Sequence, residues 1–184
     1  TPTEMTIEFE NGVPVGLGGT KMNGVELIKH VHEVAGENGV GRIDVMEDRL
    51  IGLKVRENYE CPAAKVIIPA HQALEALVCT ADERAFKVLV DQKWGELAYA
   101  GLWYDPFKDD LEAFINQIQT RVTGTVSVRL FKGTCSIIGR ASKYALYNED
   151  LASFDSQTFD QSEAVGIVKT HGMQVRMYRT VKDS

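Results

Sequence analysis

A chain of 184 residues, 44% hydrophobic and 25% charged, has the size and composition of one globular domain with a core of its own. Its formal charge of −6 argues against nucleic acid or an anionic membrane as the main partner, since both ask for a basic surface. No apolar run approaches the roughly 20 residues of a membrane span, and no basic-then-apolar leader opens the chain. The cysteines at 61, 79 and 135 are odd in number and far apart, without a Cys-x-x-Cys or Cys/His cluster. They argue against a disulfide framework or a zinc site, and for reduced thiols in a cytoplasmic protein. The chain begins Thr1-Pro2-Thr3, without methionine, as a processed protein or an excised piece would.

Met5, Ile7 and Phe9 alternate with polar residues, Asn11-Gly12 intervenes, and Val13, Val15 and Leu17 follow. Asn-Gly accepts the positive φ angles of a type I′ turn, so a hairpin is predicted. Asn23 with Glu26 opens a helix over 24–35, whose apolar face combines Val25, Ile28, Val31 and Val34 with Leu27 and Ala35. His30 and His32 fall on its solvent side. Next comes an alanine-rich segment predicted as helix over 63–79, kinked at Pro69 or starting there. Thr80 with Glu83 caps a helix over 81–100, and Asp105-Pro106 starts another over 106–122. Trp94, Trp103 and Phe114 read as core or interface anchors.

Gly124 ends the third long helix, and Val126, Val128 and Leu130 lead through Lys132-Gly133 into a second hairpin. Residues 140–160 read as a polar loop in which 144–154 are ordered by Leu146, Tyr147 and Leu151. Asp160 with Glu163 predicts a short helix to His171, stopped by Gly172. For residues 173–181 the pattern suits strand or helix equally. The residues alone therefore describe an α+β domain, with residues 1–160 as its body and 161–184 as a C-terminal helix and tail.

Motifs of a self-sufficient enzyme are missing: there is no Gly-x-x-x-x-Gly-Lys-Ser/Thr loop, no Gly-x-Ser-x-Gly elbow and no His-Glu-x-x-His. The densest chemistry lies in residues 39–62. Glycines 39, 41 and 52, arginines 42, 49 and 56, and acids 44, 47, 48, 57 and 60 interrupt two alternating apolar runs, Ile43 with Val45 and Ile51 with Leu53 and Val55. Charges held against an apolar scaffold need partners, internal or external. For Glu47 the internal reading is a salt bridge to Arg49, Arg42 or Arg56. For Tyr59 it is a core tyrosine whose hydroxyl meets backbone.

This stretch, with Ile7-Glu8-Phe9, Gly12-Val13-Pro14-Val15, Ala70-His71, Tyr99-Ala100-Gly101-Leu102-Trp103, Gly124-Thr125-Val126, Gly139-Arg140 and Leu146-Tyr147-Asn148-Glu149 in order, resembles the synthetase region of the argininosuccinate synthases. The resemblance covers nearly the whole chain but not the whole family protein. It implies an ATP-dependent ligase in which the ureido oxygen of citrulline attacks the α-phosphorus of ATP, and the amine of aspartate then displaces AMP from the citrullyl-adenylate. ATP, with magnesium, and aspartate are implied to bind a preceding nucleotide-binding domain, whose Ser-Gly-Gly-x-Asp-Ser type of loop does not occur here. By the same resemblance Glu47 and Tyr59 are citrulline contacts, and Arg49 and Arg56 support the site. No catalytic residue and no metal ligand is expected in this chain.

The resemblance further implies an antiparallel sheet built from the hairpins and the central stretch, packed by the three long helices, and a homotetramer to which the tail contributes. A non-catalytic oligomerisation or amino-acid-binding module is the alternative. Asp48, Val55, Glu57 and Cys61 stand where the family usually has Asn, Ser, Gly and Thr or Ala, and Ile167-Val168 replaces Phe-Ile.

Overall fold

The computed structural model describes residues 1–152 and 160–183, which divide into two compact units, 1–146 and 147–184. In the first, β1 (Thr3–Glu10) and β2 (Val13–Leu17) form the expected hairpin, with Asn11 and Gly12 at φ 49° and 80° as a type I′ turn requires. A short β3 (Thr20–Lys21) follows β2, and the second hairpin, β6 (Gly124–Phe131) with β7 (Thr134–Ala141), joins the first through β1. The result is a five-stranded antiparallel sheet ordered β3-β2-β1-β6-β7. The central stretch does not join it. Its strands, β4 (Arg42–Asp48) and β5 (Lys54–Glu60), pair only with each other as a separate two-stranded ribbon, which corrects the expectation of one common sheet.

Period-two alternation turns Ile7 and Phe9 of β1 and Val126, Val128 and Leu130 of β6 toward one face of the sheet, where all are buried. Two helices close that face. In α1 (Gly24–Glu37), started by Asn23 accepting the Glu26 amide at 3.0 Å, Leu27, Val31 and Ala35 are buried at i, i+4 and i+8. Val25 and Ile28, expected on the same face, are exposed: the covered stripe is narrower than the apolar one. His30 and His32 are exposed, as expected. The second helix, α2 (Pro62–Val78), buries Val66, Ala70, Leu74 and Val78. It starts with proline at its first position rather than near Pro69, which lies inside it and has no amide to offer the Lys65 carbonyl.

The helices α3 (Ala81–Tyr99) and α4 (Pro106–Gln119) pack on each other. Thr80 and Glu83 form a reciprocal capping box on α3, and Asp105 accepts the Phe107 amide at 2.9 Å ahead of α4. Phe86 meets Phe114 edge-on, as Trp94 meets Trp103, and Ile118 and Val122 reach the main core. A buried polar cluster ties these helices to α2. Gln119 donates to Glu75 at 2.6 Å and lies 2.7 Å from the His71 ring, while Lys87 meets Glu75 at 3.1 Å and Asp91 at 2.6 Å. Burial pulls the Lys87 ammonium down, yet its two carboxylates outweigh that and leave it raised. Gly12 sits against this cluster, where a Cβ would collide with the Gln119 amide.

In the second unit, α5 (Glu149–Ala152) precedes a 3₁₀ turn (Gln161–Glu163), α6 (Ala164–Thr170) and α7 (Met173–Lys182). The tail, open between strand and helix in the sequence, is helical. Asp160 caps the 3₁₀ turn through the Ser162 amide at 2.8 Å, and Gly172 at φ 74° separates α6 from α7. Leu146 and Tyr147 are exposed, so apolar anchoring does not order residues 144–148: the Leu146 amide bonds the Leu77 carbonyl at 2.9 Å instead. Phe154 lies outside the described residues.

Candidate functional site

Antiparallel pairing of β4 with β5 sets Ile43 opposite Tyr59, Val45 opposite Glu57 and Glu47 opposite Val55. Because successive side chains alternate between faces, these six share one face. Arg42, Asp44, Met46, Asp48, Lys54, Arg56, Asn58 and Glu60 take the other, and all eight are exposed. The turn is closed by Gly52 at φ 84°, with the Gly52 amide on the Arg49 carbonyl and the Arg49 amide on the Leu53 carbonyl, each at 2.8 Å. Ile51 and Leu53 therefore lie in an exposed turn and not in a strand, because the glycine ends the extended run that alternation alone would continue.

On the shared face, the Tyr59 hydroxyl donates to Glu47 Oε1, a contact running diagonally along the ribbon since the two residues are not opposite each other. That bond, first among its causes, holds the Tyr59 phenol above its ordinary range; burial and the charges of Glu47 and Glu57 add to it, and Arg49 opposes them. The Arg49 guanidinium lies 2.5 Å from Glu57 Oε1 and 3.4 Å from Glu47 Oε2. The Glu47 side chain is 18% exposed, and its Oε2 is buried and accepts no hydrogen bond among the described residues. Of the three arginines the sequence offered Glu47, only Arg49 reaches it. Arg42 and Arg56 are on the opposite face, where Arg56 grips Asp44 through two bonds of 2.9 and 2.6 Å and holds that carboxyl below its usual range.

The structure thus brings Glu47, Tyr59 and Arg49 together and sets Arg56 apart from them. It adds Glu57, which the sequence reading did not single out as a site residue. Strand alternation was the signal that could have found it, since 47, 57 and 59 share a face once the register is known.

A carboxylate, a phenol and a guanidinium on an open face suit an amino-acid head group: the carboxylate accepts from an ammonium, and the phenol and guanidinium donate to a carboxylate. The arrangement has no positioned nucleophile and base. Among the described residues no group of three or more His, Cys, Asp or Glu side chains converges as a metal site. No helix among them is long and apolar enough to cross a membrane. A cavity of about 470 Å³ lies elsewhere, beside β1 and α1, lined by Thr6, His30 and Ser127 among others. The candidate site is a ribbon face and not a closed pocket.

Residues 1–178 match the family model described as the arginosuccinate synthase C-terminal domain. The argininosuccinate synthase of Methanocaldococcus jannaschii is 57% identical over 176 residues, 96% of this chain and 45% of that protein. Its counterpart in Methanosarcina barkeri is 58% identical over 99% of this chain and 46% of its own length, and that of Archaeoglobus fulgidus 51% over 97% and 46%. The chain spans about half the length of the curated relatives it matches. A model matched over nearly the full chain and relatives identical at more than half of the aligned positions place the chain in the argininosuccinate synthase C-terminal domain family.

Proposed function

We propose that this chain is the C-terminal part of a ligase that joins citrulline and aspartate into argininosuccinate in arginine biosynthesis, and that the shared face of the ribbon is its part of the citrulline site. The observation that carries the reading is the pairing of Glu47 with Tyr59, with one buried Glu47 oxygen left without a hydrogen bond. Glu47 accepts from the α-ammonium of citrulline. Tyr59, which shares Glu47 through Oε1, donates to the carboxylate at the other side of the head group once the ligand is bound. Arg49 supports Glu47 directly, and Arg56 supports the ribbon through Asp44.

ATP with its magnesium, and aspartate, are assigned to the part of the relatives that this chain does not span. The working protein is a cytoplasmic homotetramer. In support, α7 exposes Met173, Met177 and Tyr178 beside Arg176 and Arg179, an amphipathic surface suited to a neighbouring subunit. The same surface favours the second reading, a non-catalytic assembly module.

A citrulline titration followed by NMR, on the chain alone and joined to the other half that its relatives carry, tests the choice. Saturable shifts at Glu47 and Tyr59, competed by arginine and lost in Glu47→Ala, are expected. Absence of shifts from both samples at millimolar citrulline would overturn the site, and sedimentation would then decide whether assembly alone remains.

A further inference from the structure

We infer that Glu57 is a positioning residue: by binding Arg49 Nη2 it keeps the guanidinium from closing on Glu47 with two bonds, and so leaves Glu47 Oε2 without a hydrogen-bond donor until a ligand ammonium supplies one. This rests on the reading of Glu47 as the contact for an amino-acid ammonium. Arg49 has two carboxylates within reach and hydrogen-bonds only one, Glu57 at 2.5 Å; its approach to Glu47 stays at 3.4 Å. A guanidinium facing a lone carboxylate closes on it with two parallel bonds, and a buried anionic oxygen without a donor is costly. Glu47 Oε2 is such an oxygen: Arg49 Nη1 stands 3.4 Å from it without a hydrogen bond, while Nη2 of the same guanidinium is bound by Glu57.

No other cation on the ribbon competes. Lys54 and Arg56 are on the opposite face, committed to Asp48 and Asp44 at 2.5 and 2.6 Å, and Arg42 is on that face too. With Glu57 neutral, Arg49 closes on Glu47 as a two-pronged pair, and a ligand must displace it. Glu57 therefore sets affinity for α-amino acids that carry a free ammonium, without touching them. N-acylated analogues, which have no ammonium, gain nothing from it.

The test is a double-mutant cycle of Glu57→Gln and Arg49→Met, read in two ways. In the first, citrulline affinity falls about tenfold in Glu57→Gln, as for loss of one charge-assisted bond. Adding Arg49→Met to Glu57→Gln raises affinity again, whereas Arg49→Met in the parent background does not raise it. Plain charge attraction would give Arg49→Met the same effect in both backgrounds, and that additivity would overturn the proposal.

The second readout needs no ligand: the titration of the Tyr59 phenol, followed by ¹³C-tyrosine NMR and assigned with Tyr59→Phe. Closure of Arg49 on Glu47 weakens the Tyr59–Glu47 bond, so the Tyr59 transition drops in Glu57→Gln and recovers in the double variant. Equal increments from Arg49→Met in the two backgrounds would again overturn the proposal. A non-additive tyrosine cycle without citrulline binding upholds Glu57 and rejects the ligand assignment. Citrulline binding with additive cycles does the reverse.

Discussion

The five-stranded sheet and the two-stranded ribbon share one alternating pattern and meet opposite fates. In the sheet, the inward residues of β1 and β6 vanish under α1 and α2. In the ribbon, Ile43, Val45 and Val55 stay half-buried and the turn holds Ile51 at 80% exposure. A hairpin of two strands is marginal by itself in water, so ion pairs and a glycine turn shape the ribbon where packing shapes the sheet. The residues assigned to the ligand sit on the less anchored element, where a change in the site need not disturb the core.

The largest expected effect separates the two regions kinetically. Amides of β1 and β6 should exchange only through global unfolding, and those of β4 and β5 through local opening, faster by roughly three orders of magnitude or more. Native-state hydrogen exchange measures both at once, and equal rates would mean that the ribbon belongs to the cooperative core. Next, Leu74→Ala, at a fully buried position of α2, should cost about 3 kcal/mol in urea unfolding, whereas Met46→Ala on the outer ribbon face should stay within about 0.5 kcal/mol. Gly12→Ala should fall between them at about 2 kcal/mol, because it forces alanine to a positive φ and into the Gln119 amide.

What could be read from sequence follows the same divide. Asn11-Gly12, the Thr80–Glu83 box and Asp105-Pro106 act through neighbours a few residues away, so their turn and helix starts were legible. Alternation marked Ile43, Val45 and Val55 as inward residues of strands, but ran Ile51 and Leu53 on with them, which the Gly52 turn leaves exposed. It is silent on what the inward face meets, and so could not show that the ribbon stands apart from the sheet. Similarly, Val25 and Ile28 match the helical period of α1, but which part of an apolar arc is covered depends on where α2 and β2 lie. Glu47 and Tyr59 were named from resemblance. Glu57 needed the register, which joins residues ten and twelve apart, and Arg49's choice between two carboxylates is a matter of distances.

The smallest effect tests the divide from its two ends of the pH scale. On the helical body, the Arg121 guanidinium, with help from the Thr80 cap, holds the Glu83 carboxyl below its usual range. A depressed folded-state value contributes stability that is fully present above the ordinary glutamate range and is lost as pH falls through the folded one. With its partner about two-fifths exposed, the pair should be worth only about 0.5 kcal/mol, so urea curves of Glu83→Gln and the parent should differ near neutral pH and converge in acid. On the ribbon the sign is opposite. The raised Tyr59 phenol favours the folded state below the ordinary tyrosine range and loses that contribution as pH rises through its folded value. Tyr59→Phe should therefore differ from the parent below the ordinary tyrosine range and lose that difference as pH rises through the folded value. If ribbon and core unfold separately, that difference appears in ribbon resonances and not in the global urea midpoint; a shift of the midpoint itself would show that the two regions share one transition.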